Sequence, residues 1–157
     1  MCLSIPLNPL RGSNKIQKFI EIAIEQSLKS DMQHRHGAVI VYRNKVVAFG
    51  YNRMIWNNRN CFYARHAEVD ALKDFFIRKL DKRILKDCTM YVIRIGKASM
   101  DYPTKLSKPC KNCYNYIKKS GIKKVYFSTD YEIENSPGYD SDSSGSCTYK
   151  RDYNYDL

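Results

Sequence analysis

Residues 37–52 read GAVIVYRNKVVAFGYN, and this stretch decides the predicted fold. Two short runs rich in β-branched residues, at 38–42 and 45–49, flank the dipeptide Arg43-Asn44. Such runs, separated by two turn-forming residues, predict a tight antiparallel β-hairpin. The hairpin supplies two strands of a sheet, and the flanking sequence indicates what packs on them.

Helices and strands alternate around this hairpin. Before it, apolar residues recur every three or four positions, which is typical of an amphipathic helix: Ile16, Phe19, Ile20, Ala23, Ile24 and Leu28. After it we expect a loop at 51–64, a helix at 66–80, a strand at 89–95, a polar connection at 96–108, a helix at 110–120 and a strand at 124–128. Strands joined through helices run parallel, so the order predicts an α/β fold, a three-layer α/β/α sandwich with a mixed sheet.

Composition divides the chain into three parts. Residues 1–12 are Pro-rich without a period and predict a surface leader, whereas residues 13–135 hold the predicted domain. Residues 136–157 are rich in Ser, Gly and Asp, which is typical of a mobile tail. Residues 131–134 (YEIE) alternate like a strand that returns antiparallel to the one before it.

The charge and the cysteines limit the functional classes. The net charge is +11, and because residues 131–157 hold six acids and two bases, residues 1–130 carry +15. This balance favours phosphate-bearing partners. No apolar run approaches the roughly 18 residues of a membrane span, and the N-terminal residues lack the pattern of a secretory signal. We therefore expect a cytoplasmic protein without a membrane partner, whose six cysteines serve as thiols or metal ligands.

Two motifs carry the predicted chemistry, His66-Ala67-Glu68 and the stretch PCKNC at 109–113. A CxxC turn at a helix start places two thiolates, Cys110 and Cys113, on one metal, and His66 supplies a third ligand. Three protein ligands leave Zn²⁺ an open position for a water, whose pKa falls toward about 7. Glu68 is close enough to move a proton from that water, and the combined pattern is the signature of zinc deaminases.

Other metal arrangements are open at this point. The cluster could be a structural zinc site with a fourth ligand from Cys61 or Cys88. A second zinc could be held by His34, His36 and Cys61. Structural sites usually pair two CxxC-like knuckles, whereas here one knuckle meets a His that is followed by an acid, which favours the catalytic interpretation.

On the motifs HAE, PCKNC, GAVIV and GYN, residues 13–130 resemble the cytidine and deoxycytidylate deaminase superfamily, in the branch whose first motif begins with His. The resemblance implies a cytidine-deaminase-like fold and zinc bound by His66, Cys110 and Cys113. It implies that Glu68 moves protons from water to the base. It also implies substrate contacts at three further positions, namely the Asn52 side chain, the Ala67 amide and the Lys108 carbonyl.

The resemblance implies hydrolytic deamination of a cytosine nucleotide or nucleoside, with dCMP as the first candidate and ammonia as a product. It also implies a homo-oligomer. Arg53 stands where the family has Gly after GYN, and an antiparallel strand at 131–134 would suit enzymes of free nucleosides, so the substrate stays open. The alternatives are a deaminase of polynucleotides, acting on tRNA adenosine or single-stranded cytosine, and an inactive zinc-containing module that binds nucleic acid.

Weaker signals surround the motifs. Ser107 is a candidate substrate contact ahead of the thiolates. The aromatic residues Trp56, Phe62 and Tyr63 could stack on a base or pack over the sheet edge. Seven lysines around the PCKNC helix could bind a substrate phosphate or form a solvated face: Lys105, Lys108, Lys111, Lys118, Lys119, Lys123 and Lys124.

Overall fold

The computed structural model describes residues 3–7, 14–56, 61–96 and 104–129. In chain order the elements are β1 (Leu3–Leu7), α1 (Asn14–Leu28), β2 (Arg35–Tyr42), β3 (Lys45–Tyr51), β4 (Arg53–Trp56), β5 (Phe62–Arg65), α2 (Ala67–Ile77), a 3₁₀ helix (Lys82–Asp87), β6 (Thr89–Ile95), β7 (Thr104–Lys105), α3 (Lys111–Ser120) and β8 (Lys124–Ser128).

The predicted hairpin is confirmed as β2 and β3, which pair antiparallel. Arg43 and Asn44, between them, have φ angles of 46° and 61°. Positive φ at both central residues defines the type I′ turn, whose twist matches that of the strands it joins.

The main sheet has the strand order β1-β8-β6-β2-β3. β6 runs antiparallel to β2 and parallel to β8, so β3, β6 and β8 share one direction and the sheet is mixed. Strand β7 pairs with the last residues of β6, beyond the part that pairs with β8. The C-terminal ends of β3 and β6 therefore lie at one edge of the molecule, where α2 and α3 begin.

Helices cover both faces of this sheet. Helix α1 packs on one face against a cluster that includes Val39, Tyr91 and Ile93. Helices α2 and α3 pack on the other face, where Phe75 and Ile117 are fully buried. The predicted three-layer α/β/α sandwich is confirmed.

Two glycines let the helices approach the sheet closely. A Cβ at Gly37 would clash with the backbone of α1, at Ala23 O and, 2.6 Å away, at Ser27 N. A Cβ at Gly50 would meet the backbone of α2, at Ala71 N and, 2.7 Å away, at Ala67 O. The glycines of GAVIV and GYN are therefore required for close packing, and Gly50 lets the first turn of α2 lie close against β3.

The structure corrects three expectations. The leader prediction is wrong for residues 3–7, since β1 pairs in parallel with β8. The loop prediction at 51–64 is wrong where β4 and β5 form an antiparallel hairpin. The two strands have only four residues each, and none of these residues is buried. Their sequences therefore lack the apolar alternation by which a core strand is predicted. The third correction is the short strand β7 inside the connection at 96–108.

The remaining boundaries agree within a few residues, although α2 ends at Ile77 rather than at residue 80. The predicted strand at 131–134 and the predicted tail at 136–157 lie outside the described residues. None of the helices in the described part of the chain is long and apolar enough to span a membrane.

Candidate metal centre and active site

Two helix starts bring the predicted metal ligands together. His66 is the N-cap residue of α2, and Cys110 is the N-cap residue of α3. Both have extended backbone angles, and Cys113 lies in the first turn of α3, where its N–H donates to Cys110 Sγ at 3.5 Å. The α/β topology places both N-termini at the same edge of the sheet, so residues 44 or more positions apart meet there.

The ligand atoms fit one tetrahedral metal ion. His66 Nδ1 lies 3.6 Å from Cys110 Sγ and 3.3 Å from Cys113 Sγ. Zinc bonds of about 2.3 Å to sulfur and about 2.0 Å to nitrogen, at tetrahedral angles, separate N from S by about 3.5 Å. The two measured distances bracket this value, and all three ligand atoms lie within 4.8 Å of one another, so their placement fits zinc.

The alternative metal arrangements are not supported. Within residues 3–7, 14–56, 61–96 and 104–129, His66, Cys110 and Cys113 are the only group of potential ligands close enough to share an ion. The buried Cys88 thiol instead donates to Ile84 O at 3.3 Å. A fourth ligand from Cys61 or Cys88, and a second zinc at His34, His36 and Cys61, are therefore both wrong for the described residues.

Electrostatics prepare the cluster for a cation. Hydrogen bonds from Cys113 and from His66 lower the pKa of the Cys110 thiol to about 3. The same thiolate accepts from the His66 ring and raises the pKa of that imidazole, and it also raises the pKa of Cys113. His66 and Cys113 therefore hold their protons more tightly here than such groups ordinarily do, and a divalent cation competes with those protons.

Glu68 lies beside these ligands and is buried, with 5% of its surface exposed. Burial raises the pKa of its carboxyl, while hydrogen bonds from its own N–H and from the Cys113 thiol oppose the rise. A carboxyl whose pKa is moved toward neutrality both accepts and returns protons efficiently. Glu68 therefore lies against the predicted metal ligands, and its role in proton transfer stays a prediction.

Asn52 is buried and engages the backbone of the segment that leads into β2. Its Nδ2 donates to His34 O at 2.6 Å, and its Oδ1 accepts from the His36 N–H at 2.7 Å. Asn52 therefore holds the residues before β2 in position, and its contact with a sugar or base stays a prediction.

The backbone groups assigned to the base lie next to the metal ligands. Ala67 is the first residue of α2 and is fully buried. Its N–H is one of those at a helix N-terminus that lack an intrahelical acceptor. Lys108 is exposed and lies two residues before Cys110. The two contacts with the substrate stay predictions.

Ser107 is buried and hydrogen-bonds to the sheet. It is 3% exposed, donates to Val92 O at 2.7 Å, and accepts from the Ser128 N–H at 2.9 Å. The Ser128 hydroxyl lies 2.9 Å from Ser107 Oγ and 2.7 Å from Lys105 O, and its single proton serves one of these two acceptors. Ser107 therefore fastens the segment before Cys110 to β6 and β8, and its contact with a substrate stays a prediction.

The seven lysines do not form one cluster at the metal site. Lys105, Lys108 and Lys111 precede or begin α3 and lie at its metal end. Lys118 and Lys119 occupy its last turn, and the other two precede or open β8. A ten-residue helix is about 15 Å long, so these four lie at the opposite end of the sheet. The two in the last turn are favourable there because the helix C-terminus carries partial negative charge.

The aromatic residues of the β4–β5 hairpin contact each other. Trp56 and Phe62 are 53% and 63% exposed, and their rings meet edge to face with centroids 4.3 Å apart. The half-exposed Tyr63 hydroxyl accepts from Arg65 Nη2 at 3.4 Å. Neither exposed ring packs into the core, and stacking on a base stays a prediction.

The first turn of α2 carries an ion cluster that was not predicted from the sequence. Buried Asp70 Oδ1 accepts from Arg53 Nη2 at 2.9 Å and from Arg65 Nη1 at 3.1 Å. Asp70 Oδ2 also accepts from the Tyr51 N–H at 3.4 Å. These residues line a cavity of about 220 Å³ away from the metal ligands. Asp70 lies two positions after Glu68 in the sequence. The one sequence feature that could have indicated this cluster is Arg53, which stands where the family has Gly after the GYN motif.

Comparison with known proteins agrees with this geometry. Residues 13–129 match the family model described as the cytidine and deoxycytidylate deaminase zinc-binding region. A relative from Caenorhabditis elegans, named a probable deoxycytidylate deaminase, is 31% identical over 131 residues, which is 72% of this chain and 56% of the relative. The chain thus spans little more than half the length of that relative.

Solved structures share the fold. The crystal structure of the dCMP deaminase from cyanophage S-TIM5 in apo form has a TM-score of 0.55 and 22% identity, over 78% of this chain and 90% of that chain. The same enzyme in complex with dCMP and dUMP has a TM-score of 0.53 and 20% identity, over 78% and 88%. Because the family model covers about three quarters of the residues and its metal ligands converge here, the chain belongs to the cytidine and deoxycytidylate deaminase family.

Proposed function

We propose that this protein is a zinc-dependent hydrolase that deaminates a cytosine nucleotide, dCMP first, to the uracil form with release of ammonia. The observation that carries the proposal is the convergence of His66, Cys110 and Cys113 on one ion site beside the buried carboxyl of Glu68. Three ligands and an adjacent acid are the requirements of hydrolytic deamination.

In the proposed reaction, one side chain transfers protons and three other groups hold the substrate. His66, Cys110 and Cys113 would hold the zinc, which would supply an activated water for attack on the ring carbon that carries the amino group. Glu68 accepts one proton of this water and transfers it to the ring nitrogen. It then accepts the second proton, from the hydroxyl now bonded to the ring carbon, and passes it to the amine, which leaves as ammonia while the hydroxyl oxygen becomes the carbonyl. The Ala67 N–H and the Lys108 carbonyl hold the edge of the base, and Asn52 orients the sugar.

The substrate class is supported by charge and by the relatives. Residues 1–130 carry +15, which suits a phosphate-bearing substrate. The relative from Caenorhabditis elegans is named a probable deoxycytidylate deaminase, and the structure from cyanophage S-TIM5 was solved with dCMP and dUMP. We extend this specificity for dCMP to the present chain as part of the proposal.

The high basic charge favours one alternative, a deaminase that acts on polynucleotides. The discriminating experiment measures ammonia release by the zinc-loaded protein from dCMP, CMP, deoxycytidine, cytidine, a cytosine-containing single-stranded oligonucleotide and a tRNA. Turnover of a cytosine monomer supports the proposal. Turnover of polynucleotides alone, with binding that weakens steeply as salt increases, would establish the alternative. A zinc-loaded protein without turnover on any substrate would instead be a binding module. The presence of Glu68, the predicted proton-transfer residue, argues against that outcome.

The setting of the enzyme is part of the proposal. Within the described residues four cysteines form no disulfide, and two of them belong to the ion site, which suits a reducing cytoplasm. We also propose a homo-oligomer and a catalytic domain that extends to residue 135 and includes, besides the predicted residues 13–135, the strand β1. Size-exclusion chromatography with light scattering tests the first, and activity of a fragment ending at residue 135 tests the second.

A further inference from the structure

Several elements meet at the edge of the sheet opposite the metal ligands. Strand β6 begins there at Thr89, which lies opposite Val41 of β2 and pairs with Lys124 at the start of β8. The turn between β2 and β3, the end of α3 and the 3₁₀ helix before β6 lie at the same edge. The 3₁₀ helix lies against both α3 and β2. These segments therefore form one surface, remote from His66.

This surface is strongly basic. Its segments, residues 42–45, 79–88 and 117–124, contain two acids, of which Asp81 pairs with Arg83 at 2.7 Å and the other is Asp87. Most protein surfaces intersperse charges of both signs, so this imbalance is unusual. Besides Arg83, the segments carry nine exposed cations, which we call the basic end: Arg43, Lys45, Lys79, Lys82, Lys86, Lys118, Lys119, Lys123 and Lys124.

The cations of the basic end have no anionic partner in the part of the chain that the structure describes. The ion pairs found there belong to other arginines, at positions 53, 65, 78 and 83. The partial negative charge of a helix C-terminus accounts for Lys118 and Lys119, which lie in the last turn of α3. The other cations repel one another, and a surface of one sign attracts and concentrates anions.

The acidic C-terminal residues are a poor counterpart for this surface. Residues 131–157 carry a net charge of −4, less than half of what the basic end would require. They follow β8, which runs parallel to β6 and therefore ends at the metal edge of the sheet, not at the basic end. An external polyanion matches the charge better.

The dimensions of the basic end suit a nucleic-acid duplex. Strands β8, β6, β2 and β3 are neighbours, so Lys124 and Lys45 lie about three strand spacings, or about 14 Å, apart. The 3₁₀ helix, about 12 Å long, extends the surface on the side of α3. Over about 20 Å a duplex presents about 12 phosphates, and a single strand about half as many. Cations spread over two dimensions match the denser array of phosphates.

We propose that the basic end binds the phosphate backbone of double-stranded nucleic acid, independently of base sequence, and leaves the metal centre at the opposite edge uncovered. Lysines bind phosphates as point charges, and such contacts carry no sequence information. Single-strand sites add aromatic rings on which bases stack. The exposed Tyr116 ring, three positions before Lys119 on α3, is one that a single strand would use. The inference goes beyond the proposed deamination and does not require it.

The test measures binding of a fluorescent DNA duplex to the full, zinc-loaded chain by anisotropy. For a duplex of about 20 base pairs, we expect a slope of log K against log salt of about −4 or steeper between about 50 and 200 mM salt. Two unrelated sequences should bind alike. The double variant Lys118→Gln, Lys119→Gln should bind about 10- to 100-fold more weakly at the lower salt, with a slope less steep by about 2. Lys82→Gln with Lys86→Gln should do the same.

The matched control is Lys108→Gln with Lys111→Gln, which removes the same charge at the metal end of α3. It should keep both the affinity and the slope, and melting temperatures verify that all variants fold. An equal loss in this control would assign binding to the metal edge and overturn the inference, as would an affinity that does not depend on salt. The measurement requires no turnover, so its outcome is independent of whether the chain deaminates dCMP.

Three other ligands test the choice of a duplex. Tighter binding of a single strand, lost in Tyr116→Ala, would overturn the inference. Binding to vesicles of phosphatidylserine without binding to the duplex would assign the basic end to a lipid surface and also overturn it. Duplex binding that requires deletion of residues 131–157 would show that the chain's own acidic residues occupy the basic end, against the inference.

Discussion

At the scale of single residues, the site depends on groups whose protonation is set by their surroundings. His36 is a neutral imidazole because burial, opposed by its hydrogen bond to His34 O, lowers its pKa to about 4. The charges of Arg94, His66 and His34 add to this effect. The folded protein thus resists protonation of a residue that an unfolded chain protonates near pH 6.5.

The shift of His36 predicts how stability depends on pH. Between pH 6.5 and 4 the unfolded chain binds a proton at this residue that the folded chain does not, so the free energy of unfolding falls as pH falls. The loss is on the order of 2–3 kcal/mol by pH 4 and is absent above pH 7. Denaturant unfolding of the wild type and of His36→Asn, in the same metal state, measures it. Parallel pH profiles of the two proteins would contradict this prediction.

At the scale of elements, the metal ligands depend on how α2 and the β4–β5 hairpin are fastened together. Arg65 ends β5 and directly precedes His66, and its guanidinium donates to Asp70 on α2. Arg53, at the start of β4, donates to the same carboxylate. One buried anion thus connects both hairpin strands to the helix that carries Glu68.

Asp70→Asn should therefore destabilise the fold and loosen the metal site. The guanidiniums of Arg53 and Arg65 would both lose the carboxylate with which they pair. Loss of one partner of a buried ion pair lowers the free energy of unfolding by about 3 kcal/mol. The matched control is Asp74→Asn, one turn further along α2, whose carboxylate pairs with the more exposed Arg78. Its loss should cost about 1 kcal/mol or less. Denaturant unfolding and zinc titration of both variants test this, and equal losses would show that Asp70 has no special role.

The elements also show what the sequence could predict. The hairpin at Arg43-Asn44 and helix α3, with its left-handed cap at Gly121, have local signals and were predicted closely. Strand β1 has no local sequence signal, because it is formed by parallel pairing with β8, which lies over 100 residues away in the sequence. The motifs predicted that His66, Cys110 and Cys113 meet, as they do, since the chemistry requires those residue types at that spacing. The catalytic role of Glu68 stays a prediction. The role of Ser107 could not be predicted, because it depends on its contacts with Val92 and Ser128 in the folded chain.

At the scale of the whole molecule, one ion would couple two helices and hence much of the core. Ligands from the starts of α2 and α3 come together only in the folded chain, so zinc binds the folded state preferentially. An excess of 1,000 times the dissociation constant contributes about 4 kcal/mol. Zinc binding therefore couples the first turns of α2 and α3 to the stability of the whole fold.

Removal of zinc should lower the melting temperature by about 10 °C or more, since 1 kcal/mol corresponds to several degrees in a domain of this size. Thermal unfolding with and without a chelator measures the shift. Cys113→Ser, which removes one ligand, should melt at nearly the same temperature under both conditions. An unchanged melting temperature of the wild type after verified zinc loss would contradict the coupling.

The central claim is that zinc and Glu68 together deaminate a cytosine nucleotide. The most direct measurement is the rate of dUMP formation from dCMP by the wild type and by Glu68→Gln, at equal and verified zinc content. The account predicts one zinc per chain in both proteins and a rate about 10²- to 10⁴-fold lower in the variant, the contribution of a general acid and base. Equal rates in the two proteins, or a zinc-loaded wild type that forms no dUMP, would contradict it.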